Sequence, residues 1–213
     1  MMSDPIYLIV IFLLIGLAPF VALMVTSFTK LVIVFSLVRN ALGLQQIPPL
    51  MVINGMAMII SIYIMSPIAH KIYNQINLDE LNQLNAKTII KTVGVAKEPL
   101  RQFLLKHSNE DERLFFAQSE RNLSEAMTIE YKPEDLIVLI PAFTVSELTD
   151  AFTIGFLIYL PFIAVDIIVS NILMAMGMIM VSPMVISLPF KLVLFVMFNG
   201  WAKIIHGLIL TYS

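Results

Sequence analysis

The chain has 213 residues, of which 59% are hydrophobic and 13% charged, with a formal net charge of −2 and no cysteine. An ordinary soluble domain carries about 25% charged residues, so this is the composition of a membrane-type protein. Without cysteine there are no disulfides and no thiolate metal sites, and the slight acidity argues against nucleic acid as a partner, because phosphate binding needs a basic surface.

The charges divide the chain into three segments. Twenty of the 28 charged residues fall between Lys71 and Asp135, leaving apolar blocks over 1–70 and 136–213. The first apolar run, Ile6–Val25, follows MMSDP, which has neither a basic region nor a small-residue cleavage site, so it is assigned to the mature protein. The run SFTKLVIVFSLVRNALGLQQIPP follows, with an apolar helix expected to end at Gly43 and a Pro-Pro stop. Lys30 and Arg39 lie nine residues apart, hence about 180° apart on a helix, and cannot form one cation site. A second apolar stretch, Leu50–Ala69, precedes the central segment. There Leu78, Leu81, Leu84 and Ile89, then Leu100, Phe103 and Leu104, then DERLFFAQSE, predict helices.

Two further stretches, Leu136–Val165 and Met184–Leu210, complete four runs long enough to cross a hydrocarbon core of roughly 20 helical residues. None is a clean span. Pro19, Pro67, Pro141, Pro161, Pro183 and Pro189 are expected to kink or end helices, and Glu147, Asp150, Asp166 and Lys191 place charge at apolar depth. Two architectures fit: four broken transmembrane helices, or helical hairpins whose apolar faces are buried by other protein. Lys30 and Arg39 in the first short loop put the central segment and both termini on the outer side, the periplasm in a bacterium.

Between the last two stretches lies LMAMGMIMVSPM, with Met174, Met176, Met178, Met180 and Met184. On a helix these methionines divide between two faces, whereas on an extended loop Met174, Met176, Met178 and Met180 point one way. Gly177 and Pro183 weaken a helix and favour the loop. Methionine also fills gaps on packing faces, so for an isolated stretch that plain role competes with a pore role.

Catalytic and metal-binding patterns are missing. His70, His107 and His206 are scattered, and there is no phosphate loop and no nucleophile elbow, so neither an enzyme nor a cofactor is expected. Glu147, Asp150 and Asp166 raise the alternative of a proton-coupled secondary transporter. The competing reading pairs them with the few cations, Lys191 being the natural mate of Glu147, within a subunit or across a boundary.

The strings SFTKLVIVFSLVRNALGLQQIPP, MSPI at 65–68 and IPAFTVSELTDAFTIGFLIYLPFIAVDIIVSNILMAMGMIMVSPMVISLPFKLVLFVMFNGW at 140–201 resemble the FliP/SctR family, the R-type subunit of the bacterial type III secretion export apparatus. Val181-Ser182-Pro183 and Asn199-Gly200-Trp201 resemble the injectisome branch more than the flagellar one. The resemblance implies an all-α fold of kinked apolar hairpins with a polar helical centre, assembled as a ring of five. The implied partners are S-type and T-type subunits, secreted polypeptides and inner-membrane lipid, with most of the complex on the periplasmic side. It also implies a methionine constriction over Met174, Met176, Met178, Ile179 and Met180, an inter-subunit salt bridge between Glu147 and Lys191, and further buried charges at Lys30, Arg39, Asp150 and Asp166.

Overall fold

The computed structural model describes residues 16–17, 20, 23–44, 46–75, 86–123 and 132–213. Among them every regular element is helical: α1 (Phe28–Ala41), α2 (Leu50–Gln75), α3 (Ala86–His107), α4 (Glu110–Leu123), α5 (Leu136–Ala175), α6 (Pro183–Met197) and α7 (Gly200–Leu210). The all-α expectation holds, and the central polar segment supplies α3 and α4. Most of the first apolar stretch, and the pattern at Leu78, Leu81 and Leu84, lie outside the described residues.

Four of the prolines expected to kink or end helices lie inside helices. Pro67 lies within α2, Pro141 and Pro161 within α5, and Pro189 within α6, and none of them ends its helix. In apolar surroundings one lost hydrogen bond costs less than the string of unsatisfied groups that a broken helix would expose. The break in the last stretch falls elsewhere: α6 and α7 meet at 59° across Phe198 and Asn199. By length and composition α2 and α5 can each cross a membrane, and the bent pair adds a third candidate among the described residues. At 1.5 Å per residue, the 40 residues of α5 run about 60 Å, roughly twice a hydrocarbon core. Part of that helix must therefore be covered by something other than acyl chains.

The chain forms two compact units, Met1–Thr29 with Met65–Glu147, and Lys30–Ile64 with Leu148–Ser213. In the first, Phe103 and Leu104 of α3 and Val138, Leu139, Ala142 and Phe143 of α5 are buried, and the Phe103 and Phe143 rings lie 5.6 Å apart. The α3–α4 corner is pinned where the Asn109 amide donates to Ser146 Oγ at 2.8 Å, and Asn109 Oδ1 accepts from the Asp111 amide as an N-cap. Glu110, Asp111 and Glu112 place negative charge in the first turn of α4, where the helix dipole favours it. On α3, the bidentate Arg101 guanidinium holds the Glu98 carboxyl below its ordinary range.

In the second unit α1 buries Leu31, Val34, Phe35, Val38 and Ala41, a single face at three- and four-residue spacing. It closes at Gly43, as expected. Gly43 has φ 77°, its amide donates to Asn40 O, and the Leu44 amide donates to Arg39 O. That paired pattern is a Schellman cap. Close packing of α5 on α1 depends on Gly155, because a Cβ there would run into Cδ1 of Leu37 and lie 3.2 Å from its Cβ and Cγ. Rotating the Leu37 tip does not relieve the contact at Cβ. Gly155→Ala is expected to cost about 1–3 kcal/mol in detergent unfolding, while Gly207→Ala, with open space at its Cβ, should cost nothing.

Candidate functional site: the methionine-tipped hairpin

α5 and α6 run antiparallel about the Met178–Ile179 peptide. Phe162 meets Phe195 with centroids 6.3 Å apart, and Asp166 meets Lys191, each pair nearly symmetric about that peptide in sequence. The turn is built by residue type. α5 ends at Ala175, Gly177 takes φ 72°, its amide donates to Met174 O, and the Met178 amide reaches Leu173 O. This is a second Schellman cap, with Met178 and Leu173 brought to the same groove. Pro183 then occupies the first position of α6, where its missing amide costs nothing. Between the two caps, Ile179 N–H to Gly177 O and Val181 N–H to Met178 O fold the segment into tight turns. The tip is thus neither a continuous helix nor an extended strand, and strict alternation of the methionines does not apply.

Met174, on the last turn of α5, and Met176, Met178 and Ile179 beyond it are all exposed, and Met180 is fully so. At the base of the tip an open groove of about 550 Å³ is lined only by apolar side chains, among them Ile168, Ile172, Met176, Met178 and Phe190. An apolar tip of this kind has no natural place in water.

A polar brace sits below the tip. Lys191 is 3% exposed, and its ammonium donates to Asp166 Oδ2 at 2.6 Å and to the Ala41 carbonyl at 3.1 Å. Ser187 Oγ donates to Asp166 Oδ1 at 2.5 Å. Lys191 thereby joins both arms of the hairpin and donates to a carbonyl at the C-terminus of α1. The Gly43 cap lies close by, with Met184 and Leu188 of α6 within about van der Waals range of its Cβ position.

The remaining charged candidates are separate. Lys30 is buried and donates to Asp150 Oδ2 at 3.1 Å, with its ammonium 4.7 Å from the Tyr212 ring centre. Asp150 and Asp166 are open to the surface of the single chain, and Arg39 is half-buried with no acceptor for its Nε among the described residues. Burial of all four charges is therefore not reached by this chain's own residues. Glu147 is 1% exposed. Both aspartates engage lysines, as a structural role requires. No group of three potential metal ligands occurs among the described residues.

Sequence reasoning passed over Asp166 as the mate of Lys191, although a signal existed. Each lies twelve residues from the tip, Asp166 before Met178 and Lys191 after Ile179. It also missed the aromatic cluster in which Trp201 packs edge-on against Phe35 and Phe195.

The sequence profile of the FliP family matches residues 11–208, so it takes in α1, the hairpin and the brace. The chain belongs to the FliP family. Among FliP relatives, the Yop proteins translocation protein R of Yersinia pestis is 47% identical over 213 residues, covering 100% of this chain and 98% of its own length. The hypersensitivity response secretion protein HrcR of Ralstonia nicotianae is 46% identical over 208 residues, 96% of each chain. The surface presentation of antigens protein SpaP of Salmonella typhimurium is 40% identical over 219 residues, 99% of this chain and 98% of its own.

Proposed function

We propose that this protein is the R-type subunit of a type III secretion export gate of the injectisome branch, and that the tip of the α5–α6 hairpin seals its pore. The observation that carries the reading is the exposed apolar run from Met176 to Met180 at the tip of a braced hairpin, within a chain matched over nearly its whole length by translocation and secretion proteins. In a ring of five, five such tips converge as an apolar constriction that closes by dewetting. Thioether side chains are supple enough to part for an unfolded effector or needle polypeptide and to close behind it. The protein performs no chemistry in this role and needs no cofactor.

S-type and T-type subunits cover the apolar faces that α5 and α6 leave open, and inner-membrane lipid covers the remainder. The polar helices α3 and α4 belong on the periplasmic side. A bridge between Glu147 and Lys191 of neighbouring subunits is part of the proposal. Its formation requires both side chains to turn out of the covered positions they hold in the single chain, and Lys191 to share its ammonium with Asp166. A proton-coupled transporter using Asp150 and Asp166 is the weaker reading, since the chain is matched over nearly its whole length by translocation and secretion proteins.

Native mass measurement of the detergent-extracted complex tests the assignment. A pentamer of this chain carrying additional subunits is the expected result. A monomer or dimer without other subunits contradicts it.

A further inference from the structure

Two residues, Phe198 and Asn199, separate two helices in the last apolar stretch. Asn199 has φ 49° and ψ 47°, and it is the non-glycine residue with positive φ among the described residues. Helical hydrogen bonding runs up to it from both sides. Its amide donates to Val196 O, the Phe198 amide donates to Leu194 O, and its own carbonyl accepts from the Lys203 amide. The Asn199 side chain makes no capping hydrogen bond that would lock this conformation. The 59° elbow thus lies at Phe198, with φ −87° and ψ 5°, and at Asn199 in the left-handed region, which an L-amino acid enters at a cost and asparagine tolerates better than most.

From these observations we infer that Asn199 is a two-state backbone hinge. Its left-handed state holds α6 and α7 bent, and its rotation to the right-handed state, with Phe198 settling from ψ 5° into the helical range, fuses them into one straight helix from Pro183 to Leu210, about 42 Å long. Aromatic packing holds the bent state. The Phe195 ring lies flush against Gly200, where no Cβ fits, and Trp201 packs edge-on to Phe195 with centroids 5.5 Å apart. In the straight helix residues 195 and 200 are about 140° apart around the axis, so a Cβ at position 200 is accommodated. α6 carries the methionine tip at its other end, so this rotation swings the tip relative to α7. The hinge is a property of the backbone and does not depend on the tip sealing a pore.

The chain has no native cysteine, so spin labels on Val185→Cys and Leu210→Cys, both exposed positions, report the angle in the full-length assembled protein. Labelled subunits are diluted into unlabelled ones, and the distance is read by pulsed dipolar spectroscopy. Straightening from 59° lengthens the separation by about 5 Å at 1.5 Å per residue. Asn199→Gly should keep the short distance. Asn199→Ala and Gly200→Ala should each add the longer one, the former raising the straight fraction about tenfold. Should Gly200→Ala fail to assemble, Asn199→Ala decides alone, because it adds no atom to the aromatic cluster. An unchanged single distance in assembled Asn199→Ala overturns the hinge, as does a longer distance in Asn199→Gly. Neither result bears on ion leakage through the pore.

Discussion

Asp166→Ala is expected to destabilise the chain by about 3 kcal/mol, and Lys191→Met by only about 1 kcal/mol. The asymmetry follows from burial, since Lys191 is 3% exposed and Asp166 38%. Removing the carboxylate leaves an enclosed ammonium whose remaining hydrogen-bond partner among the described residues is the Ala41 carbonyl. An uncompensated buried charge is the costly half of any broken pair. Removing the ammonium leaves a carboxylate that is only partly covered by the chain and that Ser187 still hydrogen-bonds. Methionine also keeps most of the lysine stem's packing volume. Unfolding midpoints of the purified chain in detergent check the ranking, and equal losses would contradict it.

Charge reversals separate the brace from the proposed bridge. Lys191→Glu and Glu147→Lys, each alone, are expected to impair assembly, and the two together to restore part of it. Asp166→Lys with Lys191→Glu is expected to restore the hairpin's stability instead. Normal assembly of both single reversals would rule the bridge out.

The fold was largely legible in the sequence where one local rule governs. The end of α1 at Gly43, the loop between Gly177 and Pro183, and the apolar spacing of Phe103 and Leu104 all follow from backbone preference or helical period. Which prolines end a helix was not legible, because that depends on whether the surroundings offer the freed carbonyl a partner, which composition does not record. Only a tertiary register reveals Asp166 opposite Lys191, since Glu147 and Asp166 are equally plausible acids until the hairpin's centre is placed. The elbow at Asn199 was hidden for a related reason. Asparagine tolerates the left-handed region without requiring it, and the Phe195–Gly200 contact that favours it exists only after folding.

Met178→Ala with Met180→Ala is expected to have the largest functional effect. Met180 is fully exposed and Met178 partly so, so truncating them removes little packing from the chain itself, and the fold should survive. Around a ring, however, each truncation widens the apolar aperture and weakens its dewetting. Export should fall less than the seal, because a passing polypeptide needs width whereas ion exclusion needs closure. Alanine at Met184, whose side chain lies near Gly43 at the base of the hairpin, should leave the leak unchanged and serves as the control. The direct measurement is ion conductance of the closed, assembled complex in a planar bilayer. A leak in the double variant that is absent from the parent and from Met184→Ala is the predicted result, and an unchanged closed-state conductance in the double variant would contradict the proposed seal.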